Sequence, residues 1–234
     1  MRMLIHMEWR ISMSIKAELV DHMGNDLSVV NAARVSFDKE STDFTYRKDI
    51  PKGSDEGLVD YLASHGHWTP FSHQVISVRE TVPIFVARQR FKHMVGWAYN
   101  EVSRRYVSDD PEFFVPDVWR AAPTDGAKQG SSKQRISHLN DTRNIDSAYA
   151  DHLAQSEKLY TQMISSGVAP EQARMVLPQS MLTSYIVTGS LYAWANAYKQ
   201  RIDAHAQKEI QDLAVQWDAI IEPLFPETWK VLIK

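Results

Sequence analysis

The chain has 234 residues, a formal net charge of −3 and 44% hydrophobic residues, enough for one sizeable core or two small ones. That slightly acidic balance disfavours a general nucleic-acid binder, whose surface is broadly basic. The absence of cysteine excludes disulfides, thiolate metal sites and every mechanism with a cysteine nucleophile.

The opening MRMLIHMEWRISMSIK alternates apolar and polar residues, so residues 2–20 read as a strand or hairpin and not as a signal-peptide block. No apolar run reaches the roughly 20 residues of a membrane helix, and a cytoplasmic location is expected. GNDLSVVNAARVSFD predicts a short helix with Asn25 or Asp26 as N-cap. DEGLVDYLASHGH predicts a second helix closed by Gly66. HQVISVRETV sets Val75, Ser77 and Arg79 opposite Ile76, Val78 and Glu80, as a strand does. Pro83 then suits the first turn of a helix PIFVARQRFKHM that Gly96 ends.

Residues 117–145 are polar and contain Gly126 and Gly130, which predicts a flexible insertion with no packed role. Tyr149, Leu153, Leu159, Tyr160, Met163 and Ile164 recur at helical spacing, as do Ile210, Leu213, Ala214, Trp217, Ile220 and Ile221. Between these helices come a short helix from Pro170, stopped at Leu177–Pro178, a strand SMLTSYIVTG and a helix SLYAWANAYKQRIDAHAQ. The expected fold is α+β, a mixed sheet with packed helices, in a single domain over 1–234.

Three stretches gather chemistry. In a helix over 83–93, Arg88 and Lys92 lie one turn apart, as do Gln89 and His93, so the four share a face. Such a face holds a phosphate and a planar ring, or is a solvated basic surface. His65, His67 and His73 have ligand-like spacing, but no Asp or Glu lies among them, so capping and packing roles compete with a metal site and no metal is adopted. Thr69-Pro70-Phe71 reads as a rigid turn carrying a hydroxyl. Arg174 and Arg201 stand beside apolar neighbours; each is either an anion clamp or paired with a carboxylate, Asp203 or Glu209 in the case of Arg201.

Six ordered blocks, ELVDHMGNDLSVVNAARVSFD, HGHWTPFSHQV, PIFVARQRFKH, YNEVSRRY, ARMVLPQSMLTSY and RIDAHAQKEIQ, resemble the flavin-dependent thymidylate synthases. That family's hallmark is Arg-His-Arg, seven arbitrary residues, then Ser. The matching positions here are Lys92, His93 and Met94, with eight residues before Ser103.

The resemblance implies that dUMP receives a methylene from methylenetetrahydrofolate and a hydride from FAD, with NADPH recharging the flavin. A chain without a thiol agrees with this, because a flavin carrying the redox step needs none. It further implies a homotetramer with sites shared between subunits. For dUMP it implies Arg88, Gln89, Lys92, Glu101, Val102, Ser103, Arg104, Arg105, Arg174 and Arg201, with Arg201 polarising the pyrimidine. For FAD it implies Thr69, Lys92, His93, Met94, Glu101, Ser190 and Asn196, with Leu191 beside Ser190. His67 and His73 are assigned to the folate or flavin end of the site. Ser103 is taken as a binder, because no base is evident beside it. The competing readings are a nucleotide-binding flavoprotein that has lost methylation, a non-enzymatic RNA or nucleotide module, and a metal-dependent hydrolase built on the three histidines.

Overall fold

The structure, a computed structural model, describes residues 11–12, 15–107, 109–123 and 130–234. The alternation over residues 2–10, and Gly126 of the polar stretch, lie outside the described residues. The chain forms two compact units, each assembled from three stretches, so no single cut in the sequence separates them. The first takes the described residues up to Ile15 with Thr81–Arg88 and Glu101–Ser184. The second takes Lys16–Glu80, Gln89–Asn100 and Tyr185–Lys234.

A four-stranded sheet runs in the order β2 (Lys16–Met23), β3 (Val75–Pro83), β6 (Leu182–Ser190), β4 (Trp97–Glu101). Hydroxyl bonds pair Ser77 with Thr188 and Thr81 with Ser184. Four steps forward on β3 are thus four steps back on β6, the signature of antiparallel neighbours. The alternation predicted for β3 is observed: Ile76, Val78, Glu80 and Val82 are buried. Glu80 thereby carries a carboxylate into the apolar face.

In the first unit, β1 (Ile11–Ser12) pairs in parallel with β5 (Phe113–Phe114). Helix α4 (Ile145–Ser165) places Leu153 against Phe113 and Met181, with Ile84, Val115, Tyr149 and Leu177 packed around them. Leu159, expected on the apolar stripe, is exposed. The short helix α5 (Pro170–Ala173) runs into a 3₁₀ turn, Arg174–Val176, as the prolines require. The polar stretch after Asp117 is described at residues 118–123 and 130–145. Its described parts are tied by Ala121 N to Gln134 O (2.9 Å) and Ile136 N to Trp119 O (2.9 Å). Trp119 donates to Asp146 at 2.8 Å and meets the Tyr149 ring edge-on. Trp119, half-buried, therefore gives the described part of the stretch a packed contact that its polar residues concealed.

In the second unit, α1 (Asp26–Arg34) is capped by Asn25 in a reciprocal box with Ser28. Asp26 is not its cap; its carboxylate caps α8 (Pro226–Leu232), accepting from Glu227 N at 3.0 Å and Thr228 N at 2.8 Å. Helix α2 (Asp55–Ser64) ends before Gly66, which sits at φ +70. Helices α6 (Leu191–Arg201) and α7 (Lys208–Ile221) meet through Trp194 and Trp217, whose ring centroids are 5.5 Å apart. No helix among the described residues is long and apolar enough to cross a membrane.

The helix expected over 83–93 is shorter. Pro83 ends β3, and α3 spans Ile84–Arg90. Lys92 N and His93 N close tight turns onto Gln89 O (3.4 Å) and Arg90 O (3.1 Å). Gly96, at φ +76, then reverses the chain into β4, a strand the sequence reading did not contain. The reversal brings Trp97 and Tyr99 onto the Arg90 side chain. Those contacts compete with a longer helix and win. Lys92 and His93 therefore do not share a helical face with Arg88 and Gln89.

Candidate functional site

Each unit carries a groove. In the first unit a groove of about 760 Å³ is lined by residues Glu101 to Arg105, the 3₁₀ turn at Arg174 and Met175, and the start of β6. The 101–107 segment leaves β4 and is pinned by Val102 N to Ser184 O at 2.9 Å and by Thr183 Oγ1, which donates to Glu101 Oε1 at 2.7 Å. It then turns on Ser103 O, which accepts from Tyr106 N at 2.9 Å. Ser103 Oγ accepts from the backbone N and the Nε of Arg105, both at 3.3 Å. Arg104 donates to Asp109 O, and Arg174 Nε to Glu171 O at 3.3 Å. Among the described residues, none of these three arginines pairs with a carboxylate. Unspent guanidinium donors around a hydroxyl suit an anion.

In the second unit a groove of about 1040 Å³ is lined by Lys92 to Ala98, Trp68, Thr188 to Ser190 and the first turns of α6 through Asn196. Its wall is built by close approach. Gly189 has no Cβ, and a Cβ there would lie 2.5 Å from the Trp97 ring. Ser190 caps α6, its Oγ accepting from Ala193 N at 3.2 Å. Met94 and Val95 stand out at 76% and 93% exposure, and Trp68 at 52%.

His93 and Arg201 are joined here. Arg201 Nε donates to His93 Nε2 at 3.0 Å, and Nη2 donates to Gln89 O at 3.0 Å. Because Nε2 accepts, the ring proton belongs on Nδ1. Burial, together with the charges of Arg90 and Arg201, pushes the His93 imidazole down to about 4, so the ring is neutral. Burial and the Arg90 charge lower Arg201 as well. The carboxylate partner expected for Arg201 is absent from this pairing; Asp203 instead accepts from His205 N at 2.8 Å.

The expected dUMP residues thus fall into two sets. Glu101 to Arg105 and Arg174 line the first groove, whereas Gln89, Lys92 and Arg201 belong to the second unit. Of the residues expected for FAD, Lys92, His93, Met94, Ser190 and Asn196 share the second groove. Glu101 lines the first groove instead. Arg88, Thr69 and His73 are exposed and line neither groove. Leu191 is buried beneath Ser190. His67 lines a smaller cavity of about 250 Å³ with Tyr192 and Lys199. His65 stacks on Tyr61 at 4.0 Å and sits at the C-cap of α2. Among the described residues no group of three or more His, Asp or Glu is placed to hold a metal ion.

Trp97 and Tyr99, and the burial of Arg90 that joins them behind the second groove, were missed by the sequence reading. A signal existed: Glu80 falls on the apolar face of β3, and a carboxylate there requires a buried cation.

A family model for thymidylate synthase complementing protein matches residues 18–227. A flavin-dependent thymidylate synthase from Thermotoga neapolitana is 38% identical over 217 residues, covering 93% of this chain and 90% of its own length. This chain belongs to the flavin-dependent thymidylate synthase family. Another of its members, from Thermosipho africanus, is 36% identical over 231 residues, covering 97% of this chain and 95% of its own. The fold agrees with the crystal structure of a UMP/dUMP methylase, PolB from Streptomyces cacaoi, bound with 5-Br dUMP. The TM-score is 0.79 at 29% identity, covering 94% of this chain and 95% of that one. A second structure of that methylase, bound with 5-Br UMP, gives 0.77 at 28% identity.

Proposed function

We propose that this family member methylates dUMP to dTMP, with methylenetetrahydrofolate as carbon donor and FAD reduced by NADPH as hydride source. The observation that carries the reading is the first groove: Arg104, Arg105 and Arg174, which pair with no carboxylate among the described residues, line it together with Ser103 in a chain of net charge −3. A nucleotide phosphate satisfies Arg104, Arg105 and Arg174, while Glu101, Val102 and Ser103 orient the sugar and base.

FAD is assigned to Lys92, His93, Met94, Ser190 and Asn196. That donor set combines a cation, a neutral imidazole, a primary amide and apolar rims in a groove of about 1040 Å³, which fits a flavin nucleotide. When bound, the flavin supplies the hydride that converts a transferred methylene to methyl. Arg201 is the catalytic group of this reading, acting on the nucleotide that the 101–105 segment of a neighbouring subunit presents. Two of its donors are spent on His93 and Gln89, which orients the guanidinium and leaves others for a pyrimidine edge. A charged, fixed fork stabilises negative charge on the ring as the carbon to be methylated becomes nucleophilic. His93 orients Arg201 and is no base, because its Nε2 lone pair already accepts a hydrogen bond. Arg88, Thr69, His67 and His73 remain assigned on family resemblance alone.

The assembly we assign is a homotetramer. Exposed apolar side chains support it: Tyr106 is 80% exposed, and Met175, which lines the first groove, 74% in the isolated chain.

The test is tritium release from 5-tritiated dUMP, with FAD, NADPH and methylenetetrahydrofolate each omitted in turn. Release that needs all of them, with dTMP recovered, is the expected result. Met94 in place of a second hallmark cation favours one other reading, a flavoprotein that oxidises NADPH without methylating. A folded, flavin-loaded preparation that consumes NADPH and makes no dTMP would establish that reading instead.

A further inference from the structure

Arg90 is a fully buried cation with no direct route to any ligand, at 0% exposure. Its Nε donates to Glu80 Oε1 at 3.2 Å, and Tyr185 Oη donates to Glu80 Oε2 at 2.6 Å. Its Nη1 donates to Tyr99 Oη at 2.8 Å, and that hydroxyl donates in turn to His93 O at 2.8 Å. The guanidinium also lies 4.1 Å from the Trp97 ring, 4.9 Å from Trp194 and 4.8 Å from Trp217. Its Nη2 has no hydrogen-bond partner among the described residues, and the aromatic faces supply stabilisation there.

A buried ion pair is an inefficient way to stabilise a core, since apolar residues of similar volume serve as well. The geometry of this one has a direction. One branch runs through Tyr99 to the backbone of His93, and the other presses on Trp97, the residue that packs on Gly189 and lines the groove. Both ends of the Lys92–Trp97 turn are therefore held from the protein side by one guanidinium.

We infer that Arg90, with Glu80 and Tyr99, is a positioning residue that holds the His93–Trp97 turn in shape as the wall of the second groove. The groups facing His93 are Arg201 from α6, Arg90 from α3 and the Tyr99 hydroxyl from β4. The inference concerns the shape of the wall and holds whichever ligand occupies the groove.

The test is amide hydrogen exchange and histidine titration by NMR on the ligand-free full chain. Tyr99→Phe removes only the linking hydroxyl and leaves the ion pair intact. Exchange at residues 93–98 is expected to accelerate about tenfold, with α7 unchanged, as for one lost buried hydrogen bond. The double variant Glu80→Gln/Arg90→Met removes both charges without stranding either. It is expected to give the same acceleration and to raise the His93 titration midpoint. Arg90→Lys keeps the charge and loses the fork, so it should preserve the His93 midpoint but not the exchange protection. Wild-type exchange at 93–98 in both Tyr99→Phe and the double variant would overturn the inference. If the double variant does not fold, Tyr99→Phe decides alone. Failure of the wild-type chain to bind flavin would remove the functional reading and leave these local readouts standing.

Discussion

Arg201 and His93 are 108 residues apart in sequence and joined by a 3.0 Å hydrogen bond in which the arginine donates and the imidazole accepts. A guanidinium held by a neutral ring keeps its full positive charge, whereas a carboxylate partner would neutralise it. The pairing therefore suits an arginine that must meet developing negative charge.

Replacing that arginine tests its role directly. Arg201→Ala should lower kcat for methylation by about 100-fold or more, with the circular dichroism spectrum and assembly unchanged. Wild-type turnover, or failure to assemble, would contradict the assignment.

The neutral His93 has a consequence for pH. Its folded value of about 4 lies below the usual imidazole value, roughly 6.5, so the unfolded chain takes up the proton first as pH falls. Stability conferred by the neutral ring is complete above about pH 6.5 and declines toward pH 4, below which the decline stops. The urea midpoint of wild type should fall more steeply across this window than that of His93→Gln. Parallel curves would show that the ring titrates normally.

Asp55 anchors the loop between α1 and α2. Its Oδ1 accepts from Arg34 Nη2 at 2.6 Å, and Oδ2 accepts from Thr45 Oγ1 at 2.8 Å. Burial pushes this carboxyl up, but the bonds from Arg34 and Thr45 outweigh it and hold it below the usual range. Asp55→Ala should cost about 3 kcal/mol at neutral pH. Because a depressed carboxylate stabilises only while ionised, the deficit should shrink as pH falls below about 4. Chemical denaturation at pH 7 and pH 3 measures both quantities.

Gly189→Ala probes the groove wall. Its Cβ would lie 2.5 Å from the Trp97 ring, so the ring or the β6 backbone must shift. A stability loss of about 1–3 kcal/mol is expected, together with weaker flavin binding by fluorescence titration. Unchanged flavin affinity would separate Trp97 from the flavin groove.

The elements that were legible in sequence are those whose signal is local. The period of α1, α2, α4 and α7, the alternation of β3 and β6 and the stops at Gly66 and Pro178 depend on neighbours a few residues away. The end of α3 was not legible, because Arg90 chooses Glu80, Trp97 and Tyr99 over another helical turn. Asn25 could be read as a cap of its own helix, but Asp26 caps α8, 201 residues distant at Glu227. Nothing in the chain around Asp26 announces that partner.

By itself, the sequence determined the family, through six blocks in order, and the exclusion of thiol chemistry, through composition. Only the tertiary structure decided how the basic residues divide: Arg104, Arg105 and Arg174 into one groove, Lys92 into another, Arg201 onto His93, and Arg90 into the core. The physical reason is that a charge in a sequence has no address. Whether a guanidinium meets solvent, a ligand, an imidazole or a buried carboxylate depends on which distant segments the packing brings within about 3 Å of it, and that is a property of the folded chain.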